Sequence, residues 1–217
     1  MLSRSFRAAT IDRRAMTGGF WPVAVTARRI GSAPVILRAM RGRDRREWEA
    51  LRAANIEWLR PWEATSPEPV ATRLAFRHLV RQLDREAAEG RLQPFAIETD
   101  GRLVGQMHLF GIAWGSLRSA SAGYWVAESV AGQGIMPLAL AAACDHAFLG
   151  LGLHRVEVNI RPENTASLRV VEKLGFRDEG LRRRYLHIAG EWRDHRSFAL
   201  TSEDLGGTSL VERWNHS

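Results

Sequence analysis

The 217-residue chain is 45% apolar and carries 31 Lys and Arg residues against 24 Asp and Glu, a formal charge of +7 with a pI of about 10.9. This length supports one full hydrophobic core and predicts a single domain. No run approaches the ~18 consecutive apolar residues of a membrane span, and the single cysteine, Cys144, excludes an intrachain disulfide. We therefore expect a cytoplasmic protein whose charge favours acidic partners such as nucleic acid, ribosomes or a polyphosphate cofactor.

Residues 1–19 read as a disordered basic arm. They carry four arginines against one acidic residue, namely Arg4, Arg7, Arg13, Arg14 and Asp12. The composition resembles that of a transit peptide, and equally that of a mobile arm or an over-extended translation start. We favour the last two and expect no ordered structure before about Phe20. The folded domain is then predicted over 20–205, with a C-terminal tail over 206–217.

Short strand-like runs at 23–26 and 35–38 precede a helix that Asp44 can cap and that extends to about residue 55. Trp58 and Trp62 then crowd the predicted helix end and loop. Tryptophans in such a place most often pack against the fold. Beside glutamates they are also suited to line an entrance for a cationic peptide end, and both interpretations stay open.

Downstream, helical and extended patterns alternate. The expected elements are a helix at 69–89, a hairpin turned at Asp100 and Gly101, a strand ending at Glu128, a helix at 138–148, a strand at 154–160, a helix capped by Asn164, and strands at 176–187 and 191–200. The order strand, helix, strand around the central helix predicts a crossover between parallel strands. The class is therefore α/β with a mixed sheet.

A loop with two glycines joins the strand that ends at Glu128 to the central helix. Gly132 and Gly134 let the backbone turn tightly and approach a ligand without a Cβ, and Pro137 suits the first turn of a helix. The amides of about 132–136 are therefore expected at the positive end of a helix dipole, where an anion binds. The loop matches neither standard nucleotide motif, so an ordinary turn is an equal interpretation of the loop alone.

Four motifs in this order resemble the GNAT acetyltransferase superfamily, and more closely its Rim-type branch of ribosomal-protein-alanine N-acetyltransferases. They are Tyr124-Trp-Val, Gly132-Gln-Gly-Ile-Met, Asn164-Thr-Ala-Ser and Glu172-Lys-Leu-Gly-Phe. The resemblance covers about 35–202 and implies a central mixed sheet splayed between its parallel strands, with helices on both faces. The family has Arg or Gln three residues before the first glycine. Here that position is Ser129, so the chain departs from the pattern at one side-chain contact and keeps the backbone amides.

The resemblance implies acetyl-CoA as the donor. The implied cofactor-binding residues are Trp125, Val126, Gly132, Gln133, Gly134, Ile135 and Asn164. The pyrophosphate of acetyl-CoA is expected on the loop amides, where the glycine loop and the helix dipole already predict an anion. Its pantetheine arm is expected beside the strand at Trp125 and Val126. A plain helix N-cap is an equally good role for Asn164.

Roles in the reaction also follow from the resemblance. Glu128 matches the catalytic base and Ser167 the general acid toward the leaving thiolate; a solvated loop residue and a first-turn serine are the ordinary alternatives. A backbone N–H near Val126 is the expected oxyanion donor. The residues expected to contact the substrate are Trp58, Trp62 and Tyr124.

The free-energy cost of deprotonating an amine at pH 7 indicates which kind of amine is the acceptor. Freeing an α-amine of pKa about 7.7–8.0 at pH 7 costs roughly 1 kcal/mol, whereas freeing a lysine of pKa about 10.4 costs about 4.6 kcal/mol. A modest carboxylate base suffices for the first. We therefore expect the N-terminal amine of a protein as the acceptor. The resemblance further implies a ribosomal protein and direct transfer in a ternary complex.

Other functions were weighed against this one. A small-molecule amine such as an antibiotic or polyamine is the first alternative, and a +7 chain suits a polycation poorly. A non-catalytic RNA- or ribosome-binding protein is the second, supported by charge and by the basic run Arg182–Arg184. A solvated hairpin edge is the default interpretation of that run, with an acidic ribosomal surface or the ribose phosphate of CoA as its alternative ligands. Nucleic acid is otherwise expected only as part of a ribosomal surface. The seven histidines show no metal-ligand spacing, and we expect neither a metal nor a membrane partner.

Overall fold

The computed structural model describes residues 9–11, 21–29, 31–68 and 75–216. The nine strands in this part of the chain form one sheet in the order β1-β2-β3-β4-β5-β6-β7-β9-β8. The strands are β1 (Ala9–Ile11), β2 (Ala24–Ala27), β3 (Val35–Ala39), β4 (Leu92–Thr99), β5 (Arg102–Ala113), β6 (Ser119–Val126), β7 (Arg155–Ile160), β8 (Arg177–Ile188) and β9 (Glu191–Thr201). The helices are α1 (Arg45–Ala54), α2 (Ile56–Leu59), α3 (Phe76–Ala88), α4 (Ile135–Asp145), α5 (Thr165–Lys173) and α6 (Leu210–His216).

The sheet is splayed at its one parallel pair. Neighbouring strands run antiparallel except β6 and β7, which pair only between Ser119–Ser121 and Arg155–Glu157. Beyond that point β6 continues to Val126 and β7 to Ile160 without pairing to each other. The splayed mixed sheet predicted from the sequence is confirmed, and the β7-facing edge of 122–126 is left open for a ligand.

Helices cover both faces of this sheet, as expected. On β5, Gln106 accepts a hydrogen bond from Trp48 Nε1 of α1 at 3.1 Å, while the adjacent Met107 lies in the core cluster that contains α4. Successive side chains of a strand point to opposite faces, so α1 and α4 lie on opposite sides. Phe76 of α3 packs on Trp48 with ring centroids 5.3 Å apart, which places α3 beside α1.

The central helix α4 is buried on every side. All residues from Met136 to Asp145 are buried, because the helix packs against β2, β3, β5 and β6 as well as α5 and α6. The sequence predicted a single apolar stripe, but a helix that is apolar all round is typical of a fully enclosed position. Cys144 is 0% exposed, as expected of a core hydrophobe, and burial raises the pKa of its thiol.

The N-terminal prediction needs correction at three residues. Ala9–Ile11 form β1, which pairs antiparallel with β2, so the expectation of no order before Phe20 is wrong there. The other residues of the predicted arm lie outside the described part of the chain. The predicted helix at 69–89 is described only from Ala75 onward, and it begins at Phe76.

The C-terminal prediction is also corrected. Residues 206–217 were assigned to a tail, but Leu210 and Val211 of α6 are 1% and 0% exposed and belong to the core. Their N–H groups donate to Asp145 Oδ1 and Oδ2 at 2.7 and 3.1 Å. A buried carboxylate on α4 thus caps α6, a contact that no pattern within the last twelve residues reveals. Across the described ranges, no helix is long and apolar enough to cross a membrane.

Candidate active site

A cavity of about 630 Å³ lies where β6 and β7 separate. Its lining residues include most of the predicted site, namely Trp58, Trp62, Tyr124, Trp125, Val126, Gly132, Gln133, Gly134, Asn164 and Ser167. The structure therefore brings together residues from four separate segments, 58–62, 124–126, 132–134 and 164–167. Glu128 and Ile135 are the two predicted site residues that do not line it.

The glycine loop forms one end of the cavity. Gly132 and Gly134 have φ angles of +78° and +81°. Residues other than glycine adopt this left-handed backbone conformation only with strain. Gly134 is the N-cap residue of α4, and the backbone N–H groups of Gly132, Gly134 and Ile135 donate no hydrogen bond to another described residue. Free amides at the start of an 11-residue helix suit an anion. Ile135 contributes its amide to this helix start, while its side chain packs against the core.

The end of β6 forms the middle of the cavity. Gly105 of β5 lies opposite Val126, and a Cβ at Gly105 would meet Trp125 O at 2.1 Å. Only glycine permits this close approach of the two strands. The Trp125 indole donates to Gln106 Oε1 at 3.2 Å and lies under the Arg52 guanidinium, with 5.3 Å from Cζ to the ring centroid. These contacts hold the free edge of β6 in place.

The two tryptophans after α1 line the opposite end. Trp58 Nε1 donates to Val126 O at 3.1 Å, which links the helix end directly to β6. Trp62 lies under Arg161, with the guanidinium carbon 5.4 Å from the ring centroid, and Arg161 also donates to Pro61 O at 2.7 Å. Both tryptophans therefore pack against the fold and also line the cavity. Their role as an entrance for a cationic peptide end stays a prediction.

Asn164, Ser167 and Tyr124 meet at the start of α5. Asn164 Oδ1 accepts a hydrogen bond from Ser167 N at 3.1 Å, which makes Asn164 the helix N-cap. The hydroxyl of Tyr124 is buried, and this burial raises the pKa of its phenol, an effect that the nearby Ser167 side chain opposes. The Tyr124 hydroxyl is therefore protonated near neutral pH, and Tyr124 and Ser167 both line the cavity.

Glu128 lies just outside the cavity. It begins a 3-10 turn, Glu128–Val130, directly after β6, and its N–H donates to Asn55 Oδ1 at 2.8 Å. The side chain is exposed and has no ion-pair partner among the described residues. Glu163 is the only described carboxylate that lines the cavity, and it pairs with Arg161 at 3.1 Å, which helps to keep the pKa of Glu163 below its usual range.

Sequence reasoning missed four cationic or tryptophan side chains of the lining. They are Arg29, Arg169, Lys173 and Trp214. Lys173 belongs to a motif that supported only the family resemblance, and Trp214 fell within the segment read as a tail. For Arg29, the only feature in the sequence that could have pointed to the site is its charge, and many other arginines of the chain share it. No group of three or more His, Cys, Asp or Glu within the described ranges is arranged to hold a metal ion.

Comparison with known proteins defines the class. The family profile described as the acetyltransferase (GNAT) domain matches residues 35–177, and the chain belongs to this family. The fold is that of a GNAT acetyltransferase, which confirms the resemblance stated from the motifs.

Within the family, the chain is similar to Rim-type enzymes. The solved structure of Mycobacterium smegmatis RimJ in complex with CoA-disulfide is 41% identical, with a TM-score of 0.83 over 91% of this chain and 95% of that one. The [ribosomal protein uS5]-alanine N-acetyltransferase of Escherichia coli is 27% identical over 81% of this chain and 92% of its own length. The probable N-acetyltransferase YjcK of Bacillus subtilis is 42% identical, but the match spans only 49% of this chain and 59% of that protein.

Proposed function

We propose that this acetyltransferase moves the acetyl group of acetyl-CoA to the N-terminal α-amine of a protein, a ribosomal one, by direct transfer in a ternary complex. The observation that carries the proposal is a cavity lined both by the glycine loop, with its free amides, and by Trp58 and Trp62. Between them lies the free edge of β6, where donor and acceptor can meet.

The residues present fit acetyl-CoA. The free amides after Ala131 suit its pyrophosphate, and the open edge of β6 beside Trp125 and Val126 suits the amide groups of its pantetheine arm. When bound, acetyl-CoA supplies the activated thioester. Asn164 is already engaged as an N-cap through Oδ1, so its remaining capacity toward the cofactor is the side-chain amide Nδ2, which donates to no described residue.

The chain's own groups can supply the proton transfers. Ser167 is proposed to hold a proton for the leaving thiolate, and the adjacent Tyr124 hydroxyl can share that role because its raised pKa keeps it protonated. Glu128 is proposed to take a proton from the incoming ammonium through a water, since it lies at the end of β6 but not in the cavity wall. Its carboxylate is free of cations in the described structure, whereas that of Glu163 is held by Arg161.

The side chains at Trp58 and Trp62 favour a peptide N-terminus as the acceptor. Trp58 and Trp62 present aromatic surface to the cavity, and the described lining contains one carboxylate, Glu163, which is already paired. An aromatic entrance accommodates a single ammonium group by cation–π attraction. It lacks the free carboxylates that a polyamine with several charges would need. The similarity to ribosomal-protein-alanine N-acetyltransferases supports the same conclusion.

Peptide acetylation followed by mass spectrometry tests the proposal. An alanine-starting peptide that also contains an internal lysine should be acetylated on its α-amine, because that amine is freed at lower cost. The same peptide with a blocked N-terminus is the control and should remain unmodified. Acetylation of the internal lysine, or of spermidine in preference to the peptide, would contradict the proposal.

The base assignment has its own test. Glu128→Gln should lower kcat by about 100-fold or more and weaken its dependence on pH, because general-base catalysis typically contributes that much. Glu163→Gln is the matched control and should change kcat far less. Equal losses in the two variants would remove Glu128 from the mechanism.

A further inference from the structure

The glycine-loop end of the cavity carries a cluster that the transfer chemistry does not use. It consists of Arg29, which follows β2, Lys173 at the end of α5, and Trp214 on α6, and we call it the cationic clamp. The Arg29 Cζ lies 5.4 Å from the Trp214 ring centroid and Lys173 Nζ lies 5.8 Å from the same ring. A single indole thus braces two cations that come from distant parts of the chain.

The clamp adjoins the anion-binding loop. A Cβ placed on Gly134 would lie 3.7 Å from Arg29 Nη1, so the guanidinium sits directly beside the loop. All three clamp residues line the cavity together with Gly132 and Gly134. The Asn215 side chain donates to Arg28 O at 3.0 Å, which fastens α6 to the segment after β2 and fixes the relative position of Trp214 and Arg29.

The charges at this end are not balanced. Neither Arg29 nor Lys173 forms an ion pair with a carboxylate among the described residues, in contrast to many other cations of the fold. Both nevertheless converge on one ring, although like charges held close together repel. Such an arrangement is suited to an anion of more than one negative charge, and a phosphomonoester carries nearly two at pH 7.

We propose that the cationic clamp binds the 3′-phosphate on the ribose of CoA. The inference rests on the proposed use of acetyl-CoA. With the pyrophosphate on the loop amides, the next charged group of CoA away from the thiol is the 3′-phosphomonoester, and Arg29 of the clamp, unpaired among the described residues, lies directly beside the loop. The clamp makes the enzyme selective for CoA over 3′-dephospho-CoA. Arg29 and Trp214 lie outside the segment 35–177 that matches the family, so this selectivity is built from additions to the domain.

Titration calorimetry with the full chain tests the clamp without turnover. Wild type should bind CoA about 10- to 100-fold more tightly than 3′-dephospho-CoA, the range expected for charge-assisted hydrogen bonds to one phosphate. Arg29→Gln combined with Lys173→Gln should weaken CoA binding by that factor and leave 3′-dephospho-CoA binding unchanged. Arg28→Gln is the matched control, because Arg28 is an exposed neighbour that does not line the cavity.

The outcomes separate the two proposals. If wild type binds CoA and 3′-dephospho-CoA equally, or if the double variant weakens both equally, the clamp assignment is wrong while the cofactor assignment stands. If wild type binds neither compound, both proposals fail. Retention of the selectivity in the double variant would place the phosphate elsewhere.

A second readout uses a feature of the composition. Lys173 is the only lysine in the sequence, so an amine-reactive acetylating reagent can modify the chain interior at that one side chain. At equal saturation, CoA should slow the labelling of Lys173 at least 10-fold, whereas 3′-dephospho-CoA should slow it much less. Peptide mass spectrometry measures the ratio. Equal protection by the two compounds would overturn the clamp assignment.

Discussion

The two ends of the cavity are built in different ways. The glycine-loop end offers backbone amides and two cations, supported by a helix dipole and by α6, whereas the entrance at Trp58 and Trp62 offers aromatic surface hydrogen-bonded to β6. An anion can be held by backbone amides, whose positions the main chain dictates, whereas the proposed recognition of an acceptor would rest on side chains carried by α2 and the loop after it. The two ends can therefore be disabled separately by substitution.

The largest effect is expected from removing the cap that attaches α6 to the core. Asp145→Ala leaves the buried N–H groups of Leu210 and Val211 without an acceptor, which should lower the free energy of unfolding by about 2–3 kcal/mol. CoA binding should weaken because Trp214 loses its position, while peptide binding should not. Chemical denaturation and calorimetry measure the two effects.

Asp145→Asn keeps one acceptor oxygen and serves as the matched control, with about half the loss of stability. If Asp145→Ala weakens peptide binding as much as CoA binding, the two ends are not independent. The comparison drawn above would then fail.

The next effect concerns the loop itself. Gly134→Glu places bulk and negative charge where the anion is expected, and we predict at least a 100-fold loss of acetyl-CoA affinity. Wild type at a hundred times its dissociation constant should be stabilised by about 2.7 kcal/mol, and the variant should show no such shift in Tm. Gly190→Glu, at a turn with a similar φ of +89°, controls for backbone strain.

Acid should weaken the scaffold that carries both ends. His146 is 4% exposed beside Phe95 and Gln93, and its burial lowers its pKa from 6.5 to about 4. The neutral ring is favoured in the folded state, so its stabilising contribution is present above pH 6.5 and is lost as the pH falls toward 4. The expected loss between pH 7 and pH 5 is about 2 kcal/mol.

Asp145 acts in the opposite direction over part of this range. Burial raises its pKa from 3.8 to about 6, so its contribution is greatest below pH 3.8 and falls as the pH rises toward 6. The test therefore measures the free energy of unfolding of wild type and of His146→Phe by denaturation at pH 7 and at pH 5, and compares the change with pH in the two proteins. The same pH slope in both proteins would show that His146 does not titrate as described.

The smallest effect is expected at the entrance. Trp58→Phe keeps an aromatic surface and removes the hydrogen bond to Val126 O, which is worth about 1 kcal/mol. The KM for the acceptor peptide should rise about fivefold with no change in CoA affinity. Trp192→Phe, at an exposed tryptophan that does not line the cavity, should leave both constants unchanged.

Local patterns in the sequence were enough to predict the glycine loop, the alternating strand β7, the Asn164 cap and the Rim-type resemblance. Each depends on residues close together in the chain, where backbone geometry alone relates pattern to structure. The parallel crossover from β6 to β7 followed from the order of these elements, and the free amides followed from a glycine loop placed before a helix. The separation of the two strands was implied only by the family resemblance.

Only the tertiary structure decided which distant side chains meet. It showed α6 as part of the core because a carboxylate on α4 caps it, it placed Glu128 outside the cavity wall, and it brought Arg29, Lys173 and Trp214 together. Such contacts depend on how packed elements are positioned in space. The energy of a contact between residues far apart in the chain leaves no periodic signal in the sequence near either one.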